Sequence, residues 1–129
     1  MTELEIINAV GGEVAAHNKA TAHALDLVEQ GLKLYPRSPR LWILRGDLIQ
    51  VSDDTTQYEL EDALKSYRAA VRLDPRSPEA YESLGRYFDA VENRPREAES
   101  YFRKAIELGG GDSARDALAE VLEQLGRSE

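Results

Sequence analysis

The sequence predicts an all-α fold built from repeated helix pairs, on three observations. The segment YPRSP at 35–39 recurs as DPRSP at 74–78, which is 39 residues further along the chain. Apolar residues recur at spacings of three and four in nearly every segment, whereas alternation with a period of two does not run for a strand length. Each copy ends in Ser-Pro, a hydroxyl cap before a proline at the first helical position.

Seven helices are predicted, and most have an identifiable start or stop. The third and fifth open after Ser38 and Ser77, each of which precedes a proline. The second and fourth end ahead of Pro36 and Pro75, because a residue before proline is disfavoured in the α region. The sixth repeats the apolar spacing of the second and fourth and stops at three glycines, 109–111. The predicted ranges are 2–17, 20–34, 39–51, 58–73, 78–91, 95–108 and 113–126.

The last predicted helix has the pattern of a terminal cap, which must bury one side and expose the other. Its charged residues lie largely opposite its apolar ones. The apolar set is Ala114, Ala117, Leu118, Val121, Leu122 and Leu125. Ser113 is a candidate N-cap for this helix.

Length and composition indicate one folded domain. The chain has 129 residues, of which 42% are hydrophobic and 31% charged, a mixture typical of a folded protein outside the membrane. The predicted domain covers 1–129, with repeats at about 2–36, 39–75 and 78–108 and a capping helix at 112–126. The first residues include acids, whereas a signal peptide begins with basic residues. No apolar run approaches the roughly 20 residues of a membrane span. A cytoplasmic location without membrane contact is therefore expected.

Charge and residue types exclude several classes of function. The formal net charge is -8, so nucleic acid is an unexpected partner. The absence of cysteine excludes disulfides, thiolate metal sites and cysteine nucleophiles. His17 and His23 lie six residues apart, a spacing that would direct them to different sides of one helix, so no metal site is expected. With no nucleophile motif or phosphate loop either, the sequence predicts neither an enzyme nor a bound cofactor.

The repeats resemble the tetratricopeptide repeat (TPR), whose helix pair carries an aromatic residue, Leu-Gly and a large apolar residue, then Ala, an aromatic, Ala and Pro. The third repeat matches at Tyr81, Leu84, Gly85, Phe88, Ala98, Phe102 and Ala105. The second matches at Trp42, Gly46, Ile49, Ala63, Tyr67, Ala70 and Pro75. The second departs from the pattern in a longer turn and in Arg45, which replaces the leucine, and the first repeat has a divergent first helix. The resemblance implies an α-solenoid of antiparallel helix pairs in a right-handed superhelix, with peptides bound on the concave face.

Small residues in the matched positions predict close contact between paired helices. Glycine inside a helix costs about 1 kcal/mol relative to alanine, so Gly46 and Gly85 are expected where another helix approaches closely. Trp42 and Tyr81 are expected to be buried beside them.

The first helix of each repeat carries one stripe that the resemblance places on the concave face. In the third repeat these residues are Glu79, Glu82, Arg86 and Asp89. In the second they are Arg40, Ile43, Asp47 and Gln50, and in the first Ile6, Ala9, Glu13 and Ala16. Acids outnumber bases in the set, chiefly in the third repeat.

Such a groove is expected to bind a basic or mixed-charge peptide or helix of a partner protein, with Ile6 and Ile43 supplying apolar contacts. The basic residues with which some family members hold C-terminal carboxylates are not reproduced. Charged helix stripes are also commonly just solvated, and that alternative stays open. A structural unit that self-assembles as a weak homo-oligomer is the other class of function. The extended turn at 51–57 is a further candidate contact or a tolerated insertion.

Overall fold

The computed structural model describes residues 1–52 and 57–126, and seven helices lie in these ranges. They are α1 (Glu3–His17), α2 (Ala22–Leu34), α3 (Pro39–Val51), α4 (Leu60–Leu73), α5 (Pro78–Ala90), α6 (Pro95–Glu107) and α7 (Asp112–Gln124). Their ends fall within two residues of the predicted ranges. Residues 53–56, the middle of the predicted contact turn at 51–57, lie outside the described residues.

The helices divide between two compact units, an N-terminal unit of Met1–Leu73 and a C-terminal unit of Asp74–Glu129. In the N-terminal unit, each of α1 to α3 packs on the helix that follows it. In the C-terminal unit, α6 packs on both α5 and α7. Within each unit, short connections make consecutive helices antiparallel neighbours. The expectation of a single domain over 1–129 stays a prediction.

Serine caps begin α3 and α5, as the Ser-Pro pattern predicted. The hydroxyls of Ser38 and Ser77 accept hydrogen bonds from the backbone N–H groups of Leu41 and Ala80, each at 3.2 Å. The prediction that Ser113 caps α7 is wrong, because Gly111 holds the N-cap position and makes no side-chain cap bond. Ser113 lies inside α7 and directs its hydroxyl to α5 instead.

Replacing Ser77 with alanine is expected to lower the free energy of unfolding by about 1 kcal/mol. The substitution leaves the Ala80 N–H without its acceptor, and Ser77 is only 5% exposed, so water has little access to replace the bond. Urea denaturation of Ser77→Ala measures the effect. Ser100→Ala, on the exposed surface of α6, is the control and should unfold as wild type does. Equal unfolding midpoints for the two variants would contradict the role of the cap.

Alanines and glycines bring the paired helices into contact, and this part of the prediction is confirmed. The four alanines of the pattern, Ala63, Ala70, Ala98 and Ala105, are fully buried. Gly46 lies against the ring of Tyr67, and Gly85 against the ring of Phe102. A Cβ built on either glycine would come within 2.5 Å of a ring carbon. Each glycine thus makes room for a buried aromatic side chain of the partner helix.

The aromatic residues near the starts of α3 and α5 are less buried than expected. Trp42 and Tyr81 are both partly exposed. The indole N–H of Trp42 donates to the backbone carbonyl of Pro36 at 3.1 Å, and Tyr81 stacks on Tyr101 with ring centroids 6.5 Å apart. Both are therefore edge residues, whereas Tyr67 of α4 and Phe102 of α6 lie in the core.

The apolar face predicted for α7 is confirmed. Its buried residues are Ala114, Ala117, Leu118, Val121 and Leu122, while Leu125 is partly exposed. Because α7 packs on α6 and also touches α5, its polar face is held in a defined position beside α5.

Candidate functional site

The predicted stripe on α5 is ordered by a serine of α7. Arg86 donates to Glu82 at 3.1 Å, within one helix. The Ser113 hydroxyl donates to the same Glu82 oxygen at 2.8 Å and accepts from the Arg86 guanidinium at 2.7 Å. These three side chains therefore form a closed triangle of hydrogen bonds, which fixes the carboxylate and the guanidinium relative to α7.

A second bond ties the far end of the stripe to α7. The side-chain amide of Gln124 donates to Asp89 at 3.1 Å. Ser113 and Gln124 lie eleven residues apart, close to three helical turns, so they mark one face of α7. Asp116 and Glu120 fall between them on that face, and both are exposed.

These residues define an acidic face of the C-terminal unit. Its members are Glu79, Glu82, Arg86 and Asp89 of α5 and Asp116 and Glu120 of α7. The face thus carries five carboxylates and one guanidinium, which is itself bonded to one of them. Sequence reasoning missed the two α7 acids because it treated α7 only as a cap. Their positions three and seven residues after Ser113 were the signal that could have found them.

The predicted stripe on α3 is held by a buried tyrosine. The hydroxyl of Tyr67, in α4, donates to Asp47 at 2.6 Å and accepts from the side-chain amide of Gln50. Burial raises the pKa of Tyr67 well above its ordinary value, and the neighbouring Asp47 carboxylate raises it further. Asp47 and Gln50 therefore satisfy a hydroxyl at the edge of the core. Arg40 is exposed and Ile43 partly so, and they remain accessible to a partner.

The stripe predicted on α1 does not supply the expected apolar contact. Ile6 is only 2% exposed and packs over Gly31, whose added Cβ would lie 3.0 Å from an Ile6 methyl carbon. The prediction that Ile6 contacts a partner is therefore wrong, because this side chain belongs to the α1–α2 core. Glu13 accepts a bond from the Thr21 hydroxyl at 2.9 Å.

Comparison with solved structures and a family model identifies the repeats. The TPR domain of Sgt2 from Aspergillus fumigatus superposes with a TM-score of 0.80 at 20% identity, over 96% of this chain and 79% of that one. PilW, a widely conserved type IV pilus biogenesis factor, gives a TM-score of 0.80 at 21% identity, over 96% of this chain and 55% of that one. Residues 57–89 match the family model of the TPR repeat. The chain therefore carries a TPR repeat at 57–89 and has the fold of TPR domains.

Two curated relatives of this TPR chain are far longer than it is. Protein O-mannosyl-transferase TMTC1 of Homo sapiens is 26% identical over 107 residues, which cover 80% of the TPR chain and 11% of the relative. TMTC1 of Mus musculus is 30% identical over 100 residues, which cover 73% of the TPR chain and 10% of the relative. The chain thus spans about a tenth of the length of these relatives. The transferase name describes those whole proteins.

The predicted all-α helical repeat of the solenoid class is confirmed for the TPR chain. Within 1–52 and 57–126, no helix is both long and apolar enough to cross a membrane. Over the same residues, no three side chains of the metal-ligating types gather into a cluster. The right-handed superhelix and the cytoplasmic location stay predictions.

Proposed function

We propose that this TPR chain is a non-catalytic protein-interaction module, which binds a peptide or helix of a partner protein. The observation that carries the proposal is the acidic face of the C-terminal unit. Three of its charged side chains, Glu82, Arg86 and Asp89, are bonded to α7 before any partner arrives. Side chains that are already ordered lose less conformational entropy on binding, which favours affinity.

The chemistry of this face favours a basic or mixed-charge partner segment. Glu79, Asp116 and Glu120 are exposed, so their carboxylates can pair with lysine or arginine side chains. Arg86, which is 52% exposed, can pair with an acid of the same segment. Attraction between such charges speeds association and selects partners more than it adds raw affinity.

The α3 stripe is proposed as a second contact surface. Arg40 and Ile43 offer one charge and one apolar side chain, and Asp47 and Gln50 border them. Because the last two are bonded to Tyr67, Arg40 and Ile43 are the members expected to discriminate between partners.

Self-assembly is the second candidate function, and exposed apolar residues favour it. Met1, Leu4 and Leu34 are all more than half exposed. The Tyr35 hydroxyl donates to the Met1 carbonyl at 2.9 Å, which holds Met1 near the end of α2. An apolar edge of this kind is suited to weak contact with another copy.

Reversing three charges of the acidic face is expected to abolish capture of the partner. The variant is Glu79→Lys with Asp116→Lys and Glu120→Lys, and the matched control is Glu61→Lys with Glu97→Lys and Glu107→Lys on exposed surfaces of α4 and α6. Both carry the same change in net charge. Affinity capture from native cell extract, read by mass spectrometry, compares them with wild type. Binding to the purified partner should weaken about tenfold or more in the first variant and little in the control.

Each outcome assigns the binding surface. A protein retained by wild type and control but lost by the first variant supports the proposal and names the partner. A protein retained equally by all three contradicts a role for the acidic face. Retention of the chain's own copies alone would support self-assembly instead, and sedimentation at several concentrations would then give the oligomeric state.

A further inference from the structure

A second charged surface lies in the N-terminal unit, in a cleft between α2, α3 and α4. The cleft has a volume of about 750 Å³. Trp42 and Arg45 of α3 line it, and at about 100° per residue they lie on a different side of α3 from Arg40 and Ile43. This α2–α4 cleft is therefore distinct from the surfaces of the proposed function.

The two acids of the cleft are already hydrogen-bonded by neighbouring groups. Glu29 accepts a bond from the Arg45 guanidinium at 2.8 Å. Asp62 accepts from the backbone N–H of Glu59 at 2.9 Å, near the start of α4. The charge of Glu29 is thus paired with a cation, whereas Asp62 keeps its charge in the first turn of α4, where the helix dipole stabilises it.

Arg45 is likewise committed to the fold. Its guanidinium donates to Ser66 at 2.7 Å as well as to Glu29. It also lies near the rings of Trp42 and Tyr58, 5.7 and 5.5 Å from their centroids. Burial raises the pKa of Tyr58, and the Glu29 carboxylate adds to that rise. Arg45 thus builds one wall of the cleft and leaves little charge for a ligand.

The remaining cations of the cleft have no acidic partner among residues 1–52 and 57–126. They are Lys33 of α2 and Lys65, Arg68 and Arg72 of α4, all of them exposed. The three on α4 follow spacings of three and four, so they form one stripe along the helix. Four unneutralised cations on one cleft stand out in a chain whose net charge is -8.

We propose that the α2–α4 cleft binds an acidic peptide segment that carries an apolar side chain. The cations pair with glutamates or aspartates of the segment, and its apolar side chain rests on the floor formed by Leu32, Trp42 and Ala69. A short acidic peptide suits the cleft better than a nucleic acid. A long polyanion would extend beyond the cleft, over the rest of a protein whose net charge is negative, and would be repelled there. A short peptide contacts only the cations of the cleft.

Trp42 provides the measurement, because it is the one tryptophan of the chain. The probe is an octapeptide of glutamate with one central leucine, titrated while Trp42 fluorescence is recorded. We expect a saturable change that weakens as salt is added. Lys65→Glu with Arg68→Glu should weaken binding about tenfold or more. The matched control, Arg76→Glu with Arg96→Glu, alters exposed cations elsewhere and should bind as wild type does.

Further probes separate this inference from the proposed function. The Glu79→Lys, Asp116→Lys, Glu120→Lys variant should still bind the glutamate peptide. The corresponding lysine octapeptide should leave Trp42 fluorescence unchanged, even where it binds the acidic face. The inference is overturned by the absence of a saturable change at millimolar peptide, by equal binding to the charge-reversed variant, or by tighter binding of a uridine oligonucleotide through the same cations. Far-UV circular dichroism verifies that each variant is folded.

Discussion

Replacing Gly46 with alanine will lower the free energy of unfolding by about 1–3 kcal/mol, although alanine is the better helix former. The added Cβ would lie 2.5 Å from one ring carbon of Tyr67 and 2.7 Å from another. Tyr67 is fully buried and its hydroxyl is bonded on both sides, so the ring has no free space into which it can move. Thermal unfolding should show a midpoint lower by about 4–8 °C per kcal/mol for a unit of this size.

Gly12→Ala is the matched control in the same unit. Gly12 also lies inside a helix, but a Cβ there would meet no atom within 4 Å. The same substitution should therefore raise the free energy of unfolding by about 0.5–1 kcal/mol, through helix propensity alone. If the two alanine variants shifted the midpoint in the same direction, the clash with Tyr67 would be disproved as the cause.

Replacing Phe102 with alanine is expected to have a still larger effect, about 3–5 kcal/mol of lost stability. The ring is 1% exposed and fills the space over Gly85, so its removal leaves a cavity between α5 and α6. Chemical denaturation, with the slope of the transition compared to wild type, measures the loss. A small loss would mean that the helices close over the cavity.

A double substitution tests whether Gly85 and Phe102 form one packing unit. Gly85→Ala alone should be destabilising, because its Cβ would lie 2.5 Å from a Phe102 ring carbon. In the Phe102→Ala background that ring is absent, so the same Cβ should be neutral or stabilising. A coupling free energy near zero between the two positions would contradict direct contact as the source of the glycine requirement.

The positions of the helices could be predicted from sequence because their signals are local. Ser-Pro carries both a cap and a fixed backbone angle, and the small-residue pattern marks where helices meet. The degree of burial of the Trp42 and Tyr81 side chains could not be predicted in this way. Their exposure depends on where the neighbouring helices end, which no spacing within α3 or α5 records.

The candidate sites were predicted only in part, for a similar reason. The stripe on α5 was identified, but its hydrogen bonds to Ser113 and Gln124 join residues 27 to 35 positions apart. The prediction for Ile6 was wrong because the first repeat diverges from the pattern. Aligning it with the other two repeats assigned a core residue to the surface. The spacing of Lys65, Arg68 and Arg72 was visible in the sequence, but whether acids neutralise them depends on the fold.

The bonds that Tyr67 makes with Asp47 and Gln50 have a consequence for how this surface can change during evolution. The same two side chains face a prospective partner and complete the polar edge of the core. A substitution at either position that suited a new ligand would leave a buried hydroxyl short of a partner, so selection for fold and selection for recognition act on the same residues. Drift in specificity on α3 should therefore proceed through Arg40 and Ile43, whose replacement leaves the Tyr67 contact intact.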